Sequence, residues 1–582
     1  MKKIGIVFAL LALTGFAVLN WASPSQAAVT TNVITVTTTT DNMSNDSQCS
    51  LREAIHNVNT ESAFSPAVGE CTAGSSTLPN IIVLQSDAVY NLTILGDGNN
   101  EGDLDIHNDV RFETTGLGKA LIVMTVGGQR VMEVHGVTVE LDNISLMGGS
   151  HSDSGGGIYN NSGNLTLTNV SVQDNLANAG GGLYNHNGTV LIRDNTQIIL
   201  NGGTLGGGGI YNNGELTISN SLVRANNSSG GSGGGVYNDG GTLLIQANGA
   251  VNLNSAASYG GGIYNDNGGT VTIHNGLMES NTAAIDGGGA FSTGESSLTL
   301  HNSVVKSNTA SNGGGIYSDF GLTLSKSQIV DNIATYCGGG IHLSDIGCPQ
   351  INLILGKSQI IGRTITDSDS GNRSYLAASD GVHQISQTLI ADNETDGVSS
   401  NGAGIFVSQQ LTISNSTISN NANAGTGSGG LHIGAGGDVV ATNITVAFNS
   451  LDLYKANQGE LTLQNSIIAT PDQPNCVVVA TAINSLGHNV SNDTSCGGLT
   501  EPTDLVNTDP LLEPLADNGG NTLTHNLQDG SPAMSHGNAA ACVADPVNGV
   551  DQRGVPRLSS SCDSGAVQTG IDMLFLPFIT RQ

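Results

Sequence analysis

The sequence predicts an all-β protein that folds as a right-handed parallel β-helix, a solenoid of short strands wound into stacked coils. A GGGIYN-type motif returns about every 26 residues through the middle of the chain. Between the motifs lie short segments in which aliphatic residues alternate with Thr or Ser, such as NLTLTN at 164–169 and TVTIHN at 270–275. A fixed period in the twenties is typical of solenoids. Period-two alternation indicates strands with one buried face.

Each unit is predicted to contain three short strands. The first is the Ile-Tyr-Asn part of the motif, the second is the alternating segment, and the third has the form aliphatic-x-x-Asn, as in Val223–Asn226. Glycines suit corners that need a positive φ, and Asn tolerates a left-handed corner and can bond to the equivalent Asn one coil away. The crossover rule predicts right-handed winding.

The chain divides into five predicted segments. They are a signal peptide at 1–27, an N-terminal cap with the first coils at 28–150, the Gly-rich repeats at 151–470, a C-terminal region at 471–570 and a short apolar tail at 571–582. The pattern degrades between Leu343 and Gly402, where we expect an insertion or a looped-out coil.

The first 27 residues have the layout of a secretory signal. Lys2 and Lys3 precede an apolar run from Ile4 to Val18, and a small-x-small triplet ends at Ala27. An uncleaved anchor is the alternative, although the run is short for a membrane span of ~20 residues. We expect a secreted or surface-displayed chain with no transmembrane segment after signal removal.

The charge balance excludes one class of partner. Formal net charge is −31, from 17 basic and 48 acidic residues. Such a chain repels nucleic acid and anionic lipid, so no nucleic-acid partner is expected.

The eight cysteines fall into pairs that are close in sequence. An even count in an exported chain indicates disulfides, and a solenoid favours local pairing, although the sequence does not determine the connectivity. Zinc ligation is the alternative, but no CxxC spacing is present. The pairs are Cys49 with Cys71, Cys337 with Cys348, Cys476 with Cys496, and Cys542 with Cys562.

Two segments flanking the repeats carry a family resemblance. CSLREAI at 49–55, followed by GDLDI at 102–106, resembles the CSLREA-domain proteins of bacterial surfaces. The stretch from Asp509 to Met534, with DQRGVPR at 551–557 and CDSGAV at 562–567, is similar to the choice-of-anchor Q domain. The resemblance implies a secreted or surface-attached bacterial β-helix protein with no established catalytic residue. To a lesser degree the repeats resemble those of chlamydial polymorphic membrane proteins.

The predicted function is structural or adhesive, through binding of extracellular glycans or cell-surface proteins by a non-catalytic monomer. A polysaccharide lyase or glycoside hydrolase is the alternative, because many pectin-lyase-like β-helix proteins cleave acidic polysaccharides. That chemistry needs paired carboxylates. The DD, GHG and RIK motifs of polygalacturonase-like enzymes are absent from the sequence, and its one NTD, at 507–509, belongs to the C-terminal motif.

The aromatic residue of each motif follows the inward aliphatic, so alternation places it outside. A column of rings ~4.8 Å apart could bind a glycan or a partner by stacking. The alternative is a ladder of rings that stack on each other and stiffen the rod. This predicted stripe consists of Tyr159, Tyr184, Tyr211, Tyr237, Tyr264, Phe291 and Tyr317.

Two groups of residues have side chains that could bind a metal ion. The loop GDGNNEGDLD at 96–105 has alternating oxygen ligands of the kind that bind Ca²⁺, and a solvated acidic turn is the alternative. Its ligands would be Asp97, Asn99, Glu101, Asp103 and Asp105. His274 and His301 occupy the same strand position in successive coils, but no third ligand is in register. Apart from this structural Ca²⁺, no cofactor is predicted.

Overall fold

The computed structural model describes residues 30–96, 100–344, 383–397, 400–424 and 427–570. Over these residues the chain is a parallel β-helix, as predicted. Every pairing between its named strands is parallel, and each strand pairs with its counterparts in the coils before and after. The predicted signal peptide at 1–27 and the tail at 571–582 lie outside the described residues.

Four sheets run along the described part of the rod, which adds one to the three predicted. Sheet 1 contains the Ile-Tyr-Asn strands. Its strands are Leu104–Ile106, Met132–His135, Ile158–Asn161, Leu183–His186, Ile210–Asn212, Val236–Asp239, Ile263–Asp266, Ala290–Ser292, Ile316–Ser318, Ile341–Leu343, Ile405–Val407, Leu431–Ile433, Leu453–Lys455 and Cys476–Val478.

Sheet 2 contains the alternating strands. They are Asn32–Thr35, Asn80–Leu84, Val110–Thr114, Thr138–Asp142, Asn164–Thr168, Thr189–Arg193, Glu215–Ser219, Thr242–Gln246, Thr270–His274, Ser297–His301, Leu322–Ser325, His383–Ser386, Gln410–Ser414, Asp438–Thr442, Glu460–Gln464 and Asn484–Ser485.

Sheet 3 contains the strands that precede the coil-end Asn. They are Val89–Leu92, Ala120–Met124, Ile144–Met147, Ser171–Gln173, Gln197–Ile199, Leu222–Arg224, Ala250–Asn252, Leu277–Glu279, Val304–Lys306, Gln328–Val330, Leu389–Ala391, Thr417–Ser419, Thr445–Ala447, Ile467–Ala469 and Val490–Ser491.

Sheet 4 is the unpredicted one and runs only through the middle coils. Its strands are two to five residues long and share no alternation of aliphatic and polar residues that would mark them in the sequence. They are Leu176–Ala179, Gly202–Gly206, Asn227–Ser228, Ser255–Ala256, Thr282–Ala283, Thr309–Asn312, Ile333–Cys337, Glu394–Thr395 and Ala422–Asn423.

Inward aliphatic residues at equivalent positions stack from coil to coil and form the core. In sheet 2, Leu243, Val271 and Leu298 are aligned and fully buried. At the corner after sheet 3, the amide nitrogen of Asn281 donates to the side-chain oxygen of Asn308 at 3.0 Å, and Asn254 donates to Asn281 at the same distance. The predicted bonds between equivalent Asn residues are therefore confirmed.

The motif glycines have two physical roles. Gly207 has φ 58°, which favours glycine. The next coil approaches the second and third glycines so closely that a Cβ on Gly208 would lie 2.7 Å from the Gly234 carbonyl oxygen. Both roles follow from coils stacked at strand spacing.

The coils on either side of the irregular region stay in register. Thr323 pairs with Gln384, and the corner residues Asn332 and Asn393 are hydrogen-bonded although 61 positions separate them. The neighbouring corner pairs are 24 and 28 positions apart. More than a full coil of chain is therefore inserted there, as expected from the sequence.

The described part of the chain contains two helices, and the first covers the N-terminal end of the rod. A helix at Leu51–Thr60 begins with a capping box between Ser50 and Glu53 and packs on strands Leu104–Ile106 and Asn80–Leu84. A second, short helix spans Ala539–Val543. No helix among the described residues is long and apolar enough to cross a bilayer.

The C-terminal region folds back along the side of the rod. Its first strands complete the last coil, and the following chain lies on the outer face of sheet 3. Ser419 Oγ in sheet 3 is 2.8 Å from His525 Nε2, and at the corner between sheets 2 and 3 Arg557 Nη2 donates to Asn415 Oδ1 at 2.9 Å. The outward residues Ile467 and Ala469 of sheet 3 pack in one cluster with Leu527 and Ala533.

Three of the predicted disulfides are confirmed. They join Cys49 to Cys71, Cys476 to Cys496 and Cys542 to Cys562. Cys337 is also disulfide-bonded, and its predicted partner Cys348 lies outside the described residues. Disulfides of this number fit an extracellular protein, since they persist in oxidising compartments.

Candidate functional site

The outward side chains of sheet 1 form a single column whose character changes along the rod. Strand register aligns Asp105 with Glu133, Glu133 with Tyr159, and Tyr159 with Tyr184. The column therefore begins with two carboxylates and continues with aromatic rings.

The rings of the column stack on one another, as the ladder interpretation predicted. Centroids of Tyr184 and Tyr211 are 4.8 Å apart with planes at 5°, and those of Phe291 and Tyr317 are 4.6 Å apart at 17°. Contacts between neighbouring rings run through all seven members of the predicted stripe, from Tyr159 to Tyr317, and all are stacked except Tyr237 and Tyr264, whose planes meet at 60°.

The stack also continues through four rings that the sequence analysis missed. The first three follow a Gly-containing motif with His or Phe in the aromatic position, which was the available signal, whereas the fourth follows Leu453 without any glycine. These rings are His342, Phe406, His432 and Tyr454. Burial lowers the pKa of His432 to about 3, so this member of the stack is neutral.

Stacking leaves little ring surface for a ligand. Apart from Tyr237 and Tyr264, which are tilted against each other, each inner ring has stacked neighbours on both faces, so its edge and any hydroxyl face outward. The edges of Tyr264, Phe291 and Tyr317 are themselves buried, with Tyr237 and Tyr259 packed against them. The half-buried members Tyr159, Tyr184, Tyr211 and Tyr237 remain within reach of a ligand.

A polar column runs beside the accessible tyrosines. It includes Asn161, His186, Asn213 and Asp239, each two residues after a ring of the column, and Asn213 Nδ2 lies 3.4 Å from His186 Nδ1. The hydroxyl of Tyr211 donates to Asp239 Oδ2 at 2.6 Å. This part of the face presents hydroxyl, amide, imidazole and carboxylate groups together, which suits hydrogen bonding to a hydroxyl-rich ligand.

An arginine closes the ring stack at its N-terminal end. The Arg130 guanidinium carbon lies 4.9 Å from the Tyr159 ring centroid, within cation–π range. Arg130 Nη1 also contacts Glu133 Oε2 at 2.5 Å and Asp103 Oδ2 at 3.6 Å. The stack therefore ends against an acidic cluster.

The acidic cluster consists of Asp103, Asp105, Glu133 and His135, with Arg130 at its edge. His135 Nε2 is 3.4 Å from Asp105 Oδ1 and 3.6 Å from Glu133 Oε1. The His107 ring stacks on the His135 ring at 4.2 Å between centroids. Asp105, Glu133 and His135 each offer an atom to a common point, since these atoms lie within 4.8 Å of one another.

Burial and neighbouring charge perturb the groups of the cluster. Burial, with a contribution from Asp105, raises the pKa of Asp103 to about 6, although Arg130 opposes this effect. The hydrogen bond to Asp105 raises the pKa of His135, against the opposing effect of burial. Burial and the nearby His135 lower the pKa of His107. Of the two stacked imidazoles, His135 is therefore the more readily protonated.

The calcium prediction overlaps this cluster only in part. Asp103 and Asp105 belong to it, while Asp97 and Asn99 lie outside the described residues. Glu101 is exposed on the adjoining loop and is not among the three residues whose ligand atoms converge. A calcium site in this loop stays a prediction.

The cluster has a sequence signal that was missed. The acid-x-His pattern occurs as DIH at 105–107 and as EVH at 133–135, one coil apart. Since both segments are strands of one sheet in register, their outward residues must be neighbours. By contrast, His274 and His301 meet edge to face at 5.8 Å on sheet 2, and no carboxylate joins them in a converging group among the described residues.

Comparison with known proteins adds little to this geometry. No family model and no curated protein matches the chain. A solved structure titled "Crystal structure of pectate lyase Pel9A" aligns over 84% of this chain and 88% of its own, with 12% identity and a TM-score of 0.22. Likeness at this level carries no argument about activity.

Proposed function

We propose that the protein is a secreted or cell-surface β-helix with a structural and adhesive role, and that it is related to the bacterial CSLREA and choice-of-anchor Q proteins that its ends resemble. The column of contacting rings carries this proposal. It crosses eleven coils and uses the outer face of sheet 1 for self-contact, which favours a stiff rod over a cleft for chemistry.

Adhesion would use the accessible end of the stack. The tyrosine hydroxyls at Tyr184 and Tyr211, with His186 and Asp239 beside them, provide donors and acceptors at regular spacing. Regularly spaced polar groups suit a repeating polymer of neutral sugars, and the negative charge of the chain disfavours polyuronates.

Removing hydroxyls without removing rings tests this proposal. Tyr184→Phe combined with Tyr211→Phe keeps the stack but deletes two hydroxyls, and we expect loss of retention on immobilised neutral glycans at unchanged melting temperature. Tyr317→Phe, at a buried position, is the matched control and should bind as the wild type does. Binding that is unaffected by the double change would contradict the proposal.

A polysaccharide lyase or glycoside hydrolase is the second candidate, and one observation favours it. Asp103, whose pKa is raised to about 6, lies beside other carboxylates. Two neighbouring carboxyl groups with different pKa values can act as the general acid and the general base of one reaction. Against it, the Asp103 side chain is only 5% exposed and Glu133 is paired with Arg130. Release of new chain ends from any polysaccharide, abolished by Asp103→Asn, would support this candidate.

A further inference from the structure

We propose that Asp105, Glu133 and His135 bind a divalent first-row transition-metal ion, with zinc as the best match. The site is independent of the glycan-binding proposal. It uses side chains from two neighbouring strands of sheet 1, Leu104–Ile106 and Met132–His135, whose register holds them together.

The distances from His135 Nε2 to the two carboxylate oxygens match those between ligands on one metal ion, and the His135–Asp105 hydrogen bond is long for a charge-assisted bond. Zinc bonds to nitrogen and oxygen of ~2.0–2.1 Å place tetrahedral ligand atoms about 3.4 Å apart. His135 Nε2 lies 3.4 Å from Asp105 Oδ1 and 3.6 Å from Glu133 Oε1. Charge-assisted hydrogen bonds between these groups would be about 2.7–2.9 Å long.

Glu133 divides its two oxygens between different partners. Oε2 contacts Arg130 Nη1 at 2.5 Å, and Oε1 faces His135. The arginine therefore holds the carboxylate in place and leaves Oε1 for an ion. Stacking of His107 on the His135 ring holds the imidazole plane in the same way. Such second contacts orient ligands in metal sites.

A buried carboxylate beside the three ligands is a separate observation that points to a missing cation. The Asp103 side chain is 5% exposed, and its Oδ2 has no hydrogen-bond partner among the described residues, with Arg130 Nη1 3.6 Å away. Among the described residues, Arg130 is the one arginine or lysine whose side chain pairs with the carboxylates of Asp103, Asp105 or Glu133, since Arg52 is paired with Asp41. A divalent ion would balance the two remaining negative charges, and buried charges need such compensation.

The donor set selects the kind of ion. Imidazole suits zinc and other first-row transition ions, whereas calcium and magnesium prefer oxygen ligands alone. Three protein donors leave a fourth position open for water, as in zinc sites that are not purely structural.

Zinc binding by untagged, chelator-treated full-length protein tests the site. We expect one zinc ion per chain by titration calorimetry and by metal analysis after dialysis. Asp105→Asn and His135→Gln should each weaken binding at least 100-fold while the circular dichroism spectrum is retained. His274→Gln combined with His301→Gln is the matched control and should leave zinc binding unchanged.

Cobalt provides a readout that depends on ligand geometry. Co²⁺ in the wild type should give the intense visible absorption of a four-coordinate site, and His135→Gln should abolish it. Absence of stoichiometric zinc binding to the wild type would overturn the proposal, leaving a proton on His135 as the compensating charge. Binding that persists in both ligand variants, or is lost in the control, would also overturn it.

Discussion

Arg52 donates a hydrogen bond to the carbonyl oxygen of Gly102 at 2.9 Å, which joins the N-terminal helix to the loop that presents the acidic cluster. The same guanidinium contacts the Asp103 carbonyl at 3.4 Å and Asp41 Oδ1 at 2.7 Å. Arg52 thus links CSLREAI to GDLDI, and this contact is a physical reason for the two sequence segments to occur together.

Loss of Arg52 should open the N-terminal end of the rod. Its side chain is 1% exposed, and Arg52→Ala leaves Asp41 buried without its partner, which costs ~3–5 kcal/mol. Coils contact only their neighbours. We therefore expect faster hydrogen exchange within 30–106 and little change beyond it.

Arg111→Ala is the control for this experiment. Arg111 is 44% exposed and pairs with Asp142 at 3.3 Å, and exposed pairs contribute ~1 kcal/mol or less. If Arg52→Ala exchanges no faster than Arg111→Ala, the proposed role of Arg52 is wrong.

The Asn ladder should be a large and local source of stability. Asn281 is fully buried, donates to the Val251 carbonyl and to Asn308, and accepts from Asn254. Asn281→Ala leaves buried partners unpaired at ~1–3 kcal/mol each, so we expect about 2–4 kcal/mol lower unfolding free energy in denaturant titrations. Thr272→Ala, on the outward side of sheet 2, should cost less than 1 kcal/mol; equal losses would count against the ladder.

The two halves of the ring stack should differ in their contribution to stability. Tyr264 is 3% exposed and Tyr184 is half-buried, although each contacts a ring of the column on either side. Tyr264→Ala should lower the unfolding free energy by ~3–5 kcal/mol, a cost typical of a buried aromatic. We expect a clearly smaller loss of unfolding free energy for Tyr184→Ala. Comparable melting temperatures for the two variants would show that the buried and half-buried rings contribute equally to stability.

A buried aspartate near the C-terminal end should make stability fall as pH rises. Burial raises the pKa of Asp452 to about 7, against hydrogen bonds from Asn449 and Thr470, while Asp493 adds to the rise. Between the unfolded pKa of ~3.9 and the folded value the native state binds more protons than the unfolded state, so its stability declines over this window.

Asp452→Asn removes this pH dependence, because its amide resembles the protonated carboxyl and keeps the acceptor for Thr470. The stability of the variant relative to the wild type should rise by up to ~3 kcal/mol from about pH 5 to about pH 8, at ~1.4 kcal/mol per pKa unit. Parallel pH profiles for the two proteins would mean that Asp452 is ionised at neutral pH.

The regular part of the fold was predictable and the irregular parts were not. Repetition of the Ile-Tyr-Asn strand determines which residues stack, so the inward aliphatics and the outward rings follow from period and alternation. Sheet 4 lacks alternation, as Thr282–Ala283 illustrates. The return of Arg557 to Asn415 is a contact between distant segments that no local pattern encodes.

Only part of the candidate site could be predicted from the sequence, because the rest depends on contacts between coils. Asp103 and Asp105 stand out as an acidic string, but Glu133 and His135 join them only through strand register one coil later. Aligning the two acid-x-His segments before the aromatic repeats begin would have brought them together.

Incubation of the full-length protein with a panel of acidic and neutral polysaccharides, with both retention and new chain ends measured, tests the central claim most directly. A non-catalytic adhesive rod predicts retention of at least one neutral glycan with no new ends, in the presence or absence of zinc. Cleavage of any substrate that is lost in Asp103→Asn would contradict it.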